Sequence, residues 1–299
     1  MKKITDDTHT FQYLRLLTIA GSDSSGGAGI QADLKTFAAL GCYGMTAITA
    51  ITAQNTQGVR AIHGVPPDML RNQIDAVVED IGVDAVKIGM LHSPEIVQTV
   101  AAAIDRHRLE NVVLDPVMVA TSGAVLIENP AIAVLVRELF RRATVVTPNL
   151  DEAALLLGRL VDTEAAMEAA ARALLARGAP AVLIKGGHLA GDVVSDLLAL
   201  ENGDIHWMRA PRIETTNTHG TGCTLASAIA VHLAQGAGLL EAVQAARAYV
   251  RAALLTGARV RTGSGGGPLN HGYAPLAMKL EALQVAPGAL AFSASPKPD

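Results

Sequence analysis

The sequence predicts an α/β fold in three layers, with a mostly parallel sheet covered by helices on both faces. Three observations carry this prediction. Apolar or β-branched runs of strand length recur along the chain, and Ala- and Leu-rich amphipathic stretches of helical length separate most of them. Strand–helix–strand alternation needs crossover connections, which set the strands parallel and bury both sheet faces. Near the end of the series, Asn202-Gly203 between two strand-like runs signals a tight antiparallel hairpin.

In order, the strand runs are 14–20, 45–51, 85–88, 112–114, 145–147 and 181–184, with helical patterns at 94–108, 130–141 and 164–177. Runs 194–200 and 204–209 flank Glu201-Asn202-Gly203 and form the predicted antiparallel edge. Two long helical patterns follow, 223–235 and 239–256, and then a Gly-rich segment, 263–268. The last residues, 293–299, hold two prolines and little to bury, so fraying is expected there. No repeat or linker divides the chain. We assign 1–13 as an N-terminal extension, 14–280 as a single domain and 281–299 as a tail.

Half the residues are hydrophobic and 17% charged, which is enough apolar surface for a large core. The formal net charge of -4 and the lack of a basic run with interleaved aromatics argue against a nucleic-acid partner. Cys42 and Cys223 lie far apart and neither belongs to a CxxC pair, so a reducing cytoplasm is expected rather than a disulfide framework or zinc site. Lys2 and Lys3 are not followed by an apolar segment, and no uninterrupted apolar stretch approaches the ~18 residues of a membrane helix. Neither secretion nor a membrane partner is expected.

Two segments carry chemistry. Gly21-Ser22-Asp23-Ser24-Ser25-Gly26-Gly27-Ala28-Gly29 follows the first strand and opens a helix, a place where backbone amides approach a ligand. It matches the dinucleotide fingerprint loosely and lacks a Walker A ending; the alternative is glycines and serines shaping a turn. Asn217-Thr218-His219-Gly220-Thr221-Gly222-Cys223-Thr224 runs straight into a helix. Two glycines let successive amides converge, and the helix dipole adds positive potential, so the turn reads as an anion hole suited to phosphoryl transfer. Cys223 at that helix start is expected to have a depressed thiol pKa and to be available as a base; the bland alternative is a small core residue.

Taken together, these segments resemble the hydroxymethylpyrimidine/phosphomethylpyrimidine kinases of the ribokinase-like superfamily. The likeness continues in order through Ala53-Gln54-Asn55-Thr56, Lys87-Ile88-Gly89-Met90, Leu114-Asp115-Pro116-Val117-Met118, Thr147-Pro148-Asn149-Leu150 and Lys185-Gly186-Gly187-His188. It implies a ribokinase-like kinase that uses ATP and Mg²⁺ to phosphorylate 4-amino-5-hydroxymethyl-2-methylpyrimidine and then its monophosphate in thiamin biosynthesis, and a homodimer. By the same resemblance, Gln54 holds the aminopyrimidine, its amide pairing with a ring nitrogen and exocyclic amine. Gly21, Asp33 and Met90 line that pocket. Gly220, Thr221, Gly222 and Cys223 form the anion hole and proposed base. Lys185, Gly187 and Asn149 meet the nucleotide, with Lys185 also in the catalytic group, and Asp115 and Glu152 organise the metal. Asn149 and Glu152 also read as a capping box, compatible with that role.

Two positions depart from the family pattern. Ser24 stands where proline is common, and Thr121 replaces a lysine often seen after the Asp-Pro-Val-Met run, which puts activity on the monophosphate in doubt. Ser122 and Gly123 would let the following loop move over the site. Two rival functions are a pyridoxal kinase of the same superfamily and a non-catalytic pyrimidine sensor. The phosphate-handling residues argue against the sensor.

Overall fold

The computed structural model describes residues 11–119, 123 and 126–282. Thr121, Ser122 and residues 283–299 of the assigned tail lie outside the described residues. The central sheet is built from β2 (Arg15–Asp23), β3 (Tyr43–Asn55), β4 (Gly58–Gly64), β5 (Ala85–Ile88), β6 (Val112–Leu114), β7 (Val145–Val146), β8 (Ala181–Ile184), β9 (Val193–Leu200) and β10 (Ile205–Pro211). A separate two-stranded ribbon pairs β1 (Phe11–Tyr13) with β11 (Leu280–Ala282). The helices are α1 (Gly29–Ala39), α2 (Pro67–Asp80), α3 (Pro94–His107), α4 (Asn129–Leu139), α5 (Leu150–Leu157), α6 (Glu164–Leu175), α7 (Thr221–Ala234) and α8 (Leu239–Gly257).

The nine-stranded sheet runs in the order β10-β9-β8-β7-β6-β5-β2-β3-β4. Six strands, β2, β3, β5, β6, β7 and β8, run parallel, while β4 at one edge and β9 at the other pair antiparallel with them and β10 pairs antiparallel with β9. Alternation along the strands divides the core in two. Leu17 and Ile19 of β2 and Val182 and Ile184 of β8 face a layer that includes Leu70, Ile74, Val97, Leu135 and Met167 from α2, α3, α4 and α6. Leu16, Ala181 and Leu183 point the other way, onto Phe37, Ile229 and Val243 of α1, α7 and α8. These are the three layers expected from the sequence. Truncating a fully buried side chain such as Leu17 would cost about 2–5 kcal/mol.

Strand order reverses at β2, which neighbours β3 on one side and β5 on the other. In open α/β sheets ligands bind outside the carboxyl ends of the strands at such a reversal. Here the carboxyl end of β2 leads into the first Gly-rich loop, and that of β5 leads to Gly89 and Met90.

The predicted runs at 85–88, 112–114 and 181–184 coincide with strands, and the hairpin at 201–203 sits where expected. The strand at 45–51 extends to Tyr43–Asn55, because the second edge hairpin with β4 lengthens it. That hairpin, α2 and the β1–β11 ribbon are additions to the sequence reading. β4 is exposed along most of its length and shows no apolar alternation, and α2 buries only Leu70 and Ile74.

Candidate active site

The late Gly-bearing turn opens α7 as predicted. Gly220 caps the helix at φ +81°. Only glycine suits this position, because a Cβ would drive into the Gly27 carbonyl oxygen of the first loop. Buried Asn217 fixes the turn from behind. Its amide nitrogen donates to the carbonyls of Gly257 (2.8 Å) and Val260 (2.6 Å), and its side-chain oxygen accepts from the Gly267 amide (3.2 Å). No side chain caps α7, so its positive end is left open.

Lys185 follows β8 directly and reaches over this helix start. Its Nζ would lie 3.1 Å from a Cβ built on Gly222. It donates to Asp115 Oδ1 at 2.6 Å and stands 3.8 Å from Glu152 Oε2. Asp115, just past β6, also accepts from Thr147 Oγ1 (3.1 Å). Glu152 closes the capping box of α5: it accepts from the Asn149 amide (2.7 Å), and Asn149 Oδ1 accepts from the Glu152 amide (2.8 Å). Burial pushes the Glu152 carboxyl up to about 7; Lys185 opposes the shift and Asp115 adds to it. Burial disfavours charge on Lys185, but Asp115 and Glu152 outweigh it and raise its pKa. A lone solvated strand-end lysine would show neither feature.

Beneath this group lies a second ion pair. Lys87, in the middle of β5, is fully buried and donates to Asp33 Oδ2 at 2.9 Å. Thr18 Oγ1 donates to the same oxygen (2.6 Å), and Ser227 Oγ donates to Asp33 Oδ1 (2.7 Å). Asp33 was expected to line the pyrimidine pocket; instead it is fully buried, with both oxygens engaged from below. Gly89 leaves room for the lysine, since a Cβ there would meet Lys87 Nζ at 2.8 Å. Burial opposes charge on Lys87, but Asp33, Cys223 and Asp115 together raise its pKa.

The expected depression of the Cys223 thiol is overturned. Burial pushes it up to about 11; Lys87 and the Gly29 amide pull it down, while Asp33 and Asp115 push it further up. A helix start alone would lower the thiol pKa, but desolvation and the two carboxylates outweigh it here.

On the other side of the turn, Asp23 Oδ2 accepts from His219 Nε2 at 2.8 Å. The Asp23 carboxylate also gathers the amides of Ser25 (2.8 Å), Gly27 (3.2 Å) and Ala28 (2.8 Å) and the Ser25 hydroxyl (2.7 Å). Burial alone would raise its pKa, but the hydrogen bonds from His219, Ser25 and Ala28 hold it at about 2. Gln54, near the end of β3, brings its Nε2 to 3.4 Å from His219 Nε2, and its Oε1 accepts from Thr52 Oγ1 (3.1 Å). Gly21 is tight against Met90, whose sulfur would lie 2.9 Å from a Cβ at that position. Gln54 is thus linked to the anion-hole turn through His219, and Gly21, packed on Met90, lies two residues before Asp23 at the end of β2.

Of the nucleotide candidates, Asn149 spends its side-chain oxygen on the cap. Exposed Gly187 offers an open backbone, and its carbonyl accepts from Arg212 Nη1 (2.8 Å). Lys87, Asp23 and His219 were quoted in the sequence without a role. A signal for Lys87 was available: a lysine inside an apolar run of a parallel strand, covered on both faces, must carry its counter-ion into the core. Among the described residues, the one cluster of three metal-capable side chains, Asp75, Glu79 and His107, lies near the amino ends of β5 and β6, away from this site.

A topological switch point, an uncapped helix start and a lysine beside it, on this three-layer fold, are the features of a ribokinase-like small-molecule kinase. Two solved structures share the fold: phosphomethylpyrimidine kinase from Clostridium difficile 630 (42% identity, TM-score 0.71, covering 81% of this chain and 99% of that one) and Bacillus subtilis pyridoxal kinase in an ADP complex (39%, TM-score 0.81, 87% and 98%). Residues 23–270 match the family described as phosphomethylpyrimidine kinase. Rhizobium meliloti hydroxymethylpyrimidine/phosphomethylpyrimidine kinase is 52% identical over 256 residues, spanning 85% of this chain and 96% of the relative. The chain belongs to the phosphomethylpyrimidine kinase family and is a kinase, with ATP as the phosphoryl donor this implies.

Proposed function

We propose that the protein phosphorylates the hydroxymethyl group of 4-amino-5-hydroxymethyl-2-methylpyrimidine, and then its monophosphate, for thiamin biosynthesis. One observation carries this reading: the Gln54 carboxamide and the open start of α7 flank the same Asp23–His219 pair, so a heterocycle and a phosphate have adjoining seats. In the proposed mechanism Gln54, Gly21 and Met90 seat the ring, and Asp33 holds the pocket from below. The amides of Gly220, Thr221, Gly222 and Cys223 face the transferring phosphoryl group. Lys185 balances its charge, while Gly187 and Asn149 border the nucleotide.

Cys223 is the proposed proton acceptor. With its thiol at about 11, the acting form is the minor thiolate, whose share grows tenfold per pH unit below that value. Two buried carboxylates facing one ammonium suit a hard divalent cation with oxygen ligands, so Asp115 and Glu152 would hold Mg²⁺. When bound, the ion supplies charge neutralisation on the nucleotide phosphates.

No helix among the described residues is long and apolar enough to cross a membrane, and both cysteines are free; we place the protein in the cytoplasm. A homodimer is part of the proposal, supported by exposed Ile51 and Ile62 on the β3–β4 edge.

The test is ATP consumption with the hydroxymethylpyrimidine, its monophosphate and pyridoxal side by side. Turnover of both pyrimidines ahead of pyridoxal is expected. A preference for pyridoxal, or no turnover of any of the three, would overturn the reading.

A further inference from the structure

Ser24 stands where proline is common in the family. Its hydroxyl makes two reciprocal hydrogen bonds with the main chain of one residue: it donates to the Gln54 carbonyl at 2.7 Å and accepts from the Gln54 amide at 2.9 Å. The place where it does so is informative. The β2–β3 ladder ends with Asp23 opposite Thr52, so no backbone of β2 pairs with Gln54. On its other side, the β3–β4 register shifts between Ala53 and Gln54. Gln54 therefore sits at a break in both ladders. The serine hydroxyl acts there as a surrogate peptide group, supplying the donor and the acceptor that a further residue of β2 would have supplied.

We propose that Ser24 is a positioning residue for the pyrimidine seat: it fixes the Gln54 main chain and so aims the carboxamide at the ring. This rests on the role given to Gln54 above. A single methyl-sized displacement of a recognition group is enough to lose a paired hydrogen bond, because donor–acceptor geometry tolerates only a few tenths of an ångström. An alanine at position 24 keeps the loop's backbone but removes both bonds. A threonine keeps the hydroxyl. Ser24 is exposed, so neither change opens a cavity.

The experiment is steady-state kinetics of full-length Ser24→Ala, Ser24→Thr and Gln54→Ala, varying the hydroxymethylpyrimidine and ATP separately. For Ser24→Ala the expected result is a pyrimidine KM raised about five- to tenfold, with kcat and the ATP KM within about twofold of the parent. Ser24→Thr restores the parent KM. If Gln54→Ala raises the pyrimidine KM while Ser24→Ala leaves it unchanged, the positioning role is wrong and the pyrimidine seat stands. If Ser24→Ala shifts both KM values and kcat together, the serine serves only the fold, which also overturns the inference. If Gln54→Ala itself is silent, the pyrimidine seat falls and this inference falls with it.

Discussion

Two lysine–aspartate pairs lie close together at the carboxyl ends of the strands, and they are built in opposite ways. Lys87 and Asp33 are both 0% exposed, and Thr18 and Ser227 complete the carboxylate's hydrogen bonds. That pair is closed. Lys185 and Asp115 meet at the rim, where the lysine is 14% exposed, faces the helix start and is shared with a second carboxylate, Glu152. Here two carboxylates share one ammonium, and burial, with Asp115 adding to it and Lys185 opposing, pushes the Glu152 carboxyl up to about 7. A satisfied ion pair serves the scaffold, whereas an unbalanced one has capacity for a further cation, as the proposed function requires.

Four changes would break or sharpen this contrast. The largest effect is expected at the residue between the two pairs. Cys223→Ala should lower kcat about 10²–10⁴-fold with little change in pyrimidine affinity. Parent activity should rise with pH towards about 11, and the variant's should not. Turnover unchanged in the alanine variant would leave the backbone amides as the whole apparatus.

Next comes the closed pair. Lys87→Met strands a buried carboxylate, and denaturant unfolding should show a loss of about 3–5 kcal/mol, most of it recovered in Lys87→Met/Asp33→Leu. A stable single variant would show that the two pairs are not different in kind.

The open pair should behave otherwise. Lys185→Ala should cost less stability than Lys87→Met, because the lysine is 14% exposed and Glu152 can take up a proton, while kcat falls about 10²-fold and the KM for ATP rises rather than that for the pyrimidine. A matching fall in stability would erase the distinction.

The smallest effect belongs to Asp23. Its folded pKa of about 2 lies below the unfolded value of about 3.9, so its contribution is fully present above pH ~4 and fades as pH falls from ~4 towards ~2. Unfolding measured across that window should lose about 1–2 kcal/mol in the parent, and Asp23→Asn should flatten that part of the slope.

How much of this was legible in the sequence follows from where each signal sits. Strands such as Ala85–Ile88 are short apolar runs with sharp ends, and composition marks them. The turn at Gly220 is marked by its glycines and the helix behind them. β4 escaped because an exposed edge strand needs no apolar alternation. Asp33 was read as a pocket wall because the chain does not reveal that its partner, Lys87, arrives from a strand 54 residues on. The thiol of Cys223 was misjudged for the same reason: helix geometry is local, but Asp33 and Asp115, which raise its pKa, come from two other elements.

The contact between Gly220 and Gly27 has one more consequence. Because those two backbones touch with no space for a methyl group, the loop proposed to border the heterocycle and the turn proposed to face the phosphoryl group share a seam without slack. On the proposed function, a shift of either loop on filling one seat would be passed to the other, so the affinity for each ligand is expected to depend on whether the other is bound.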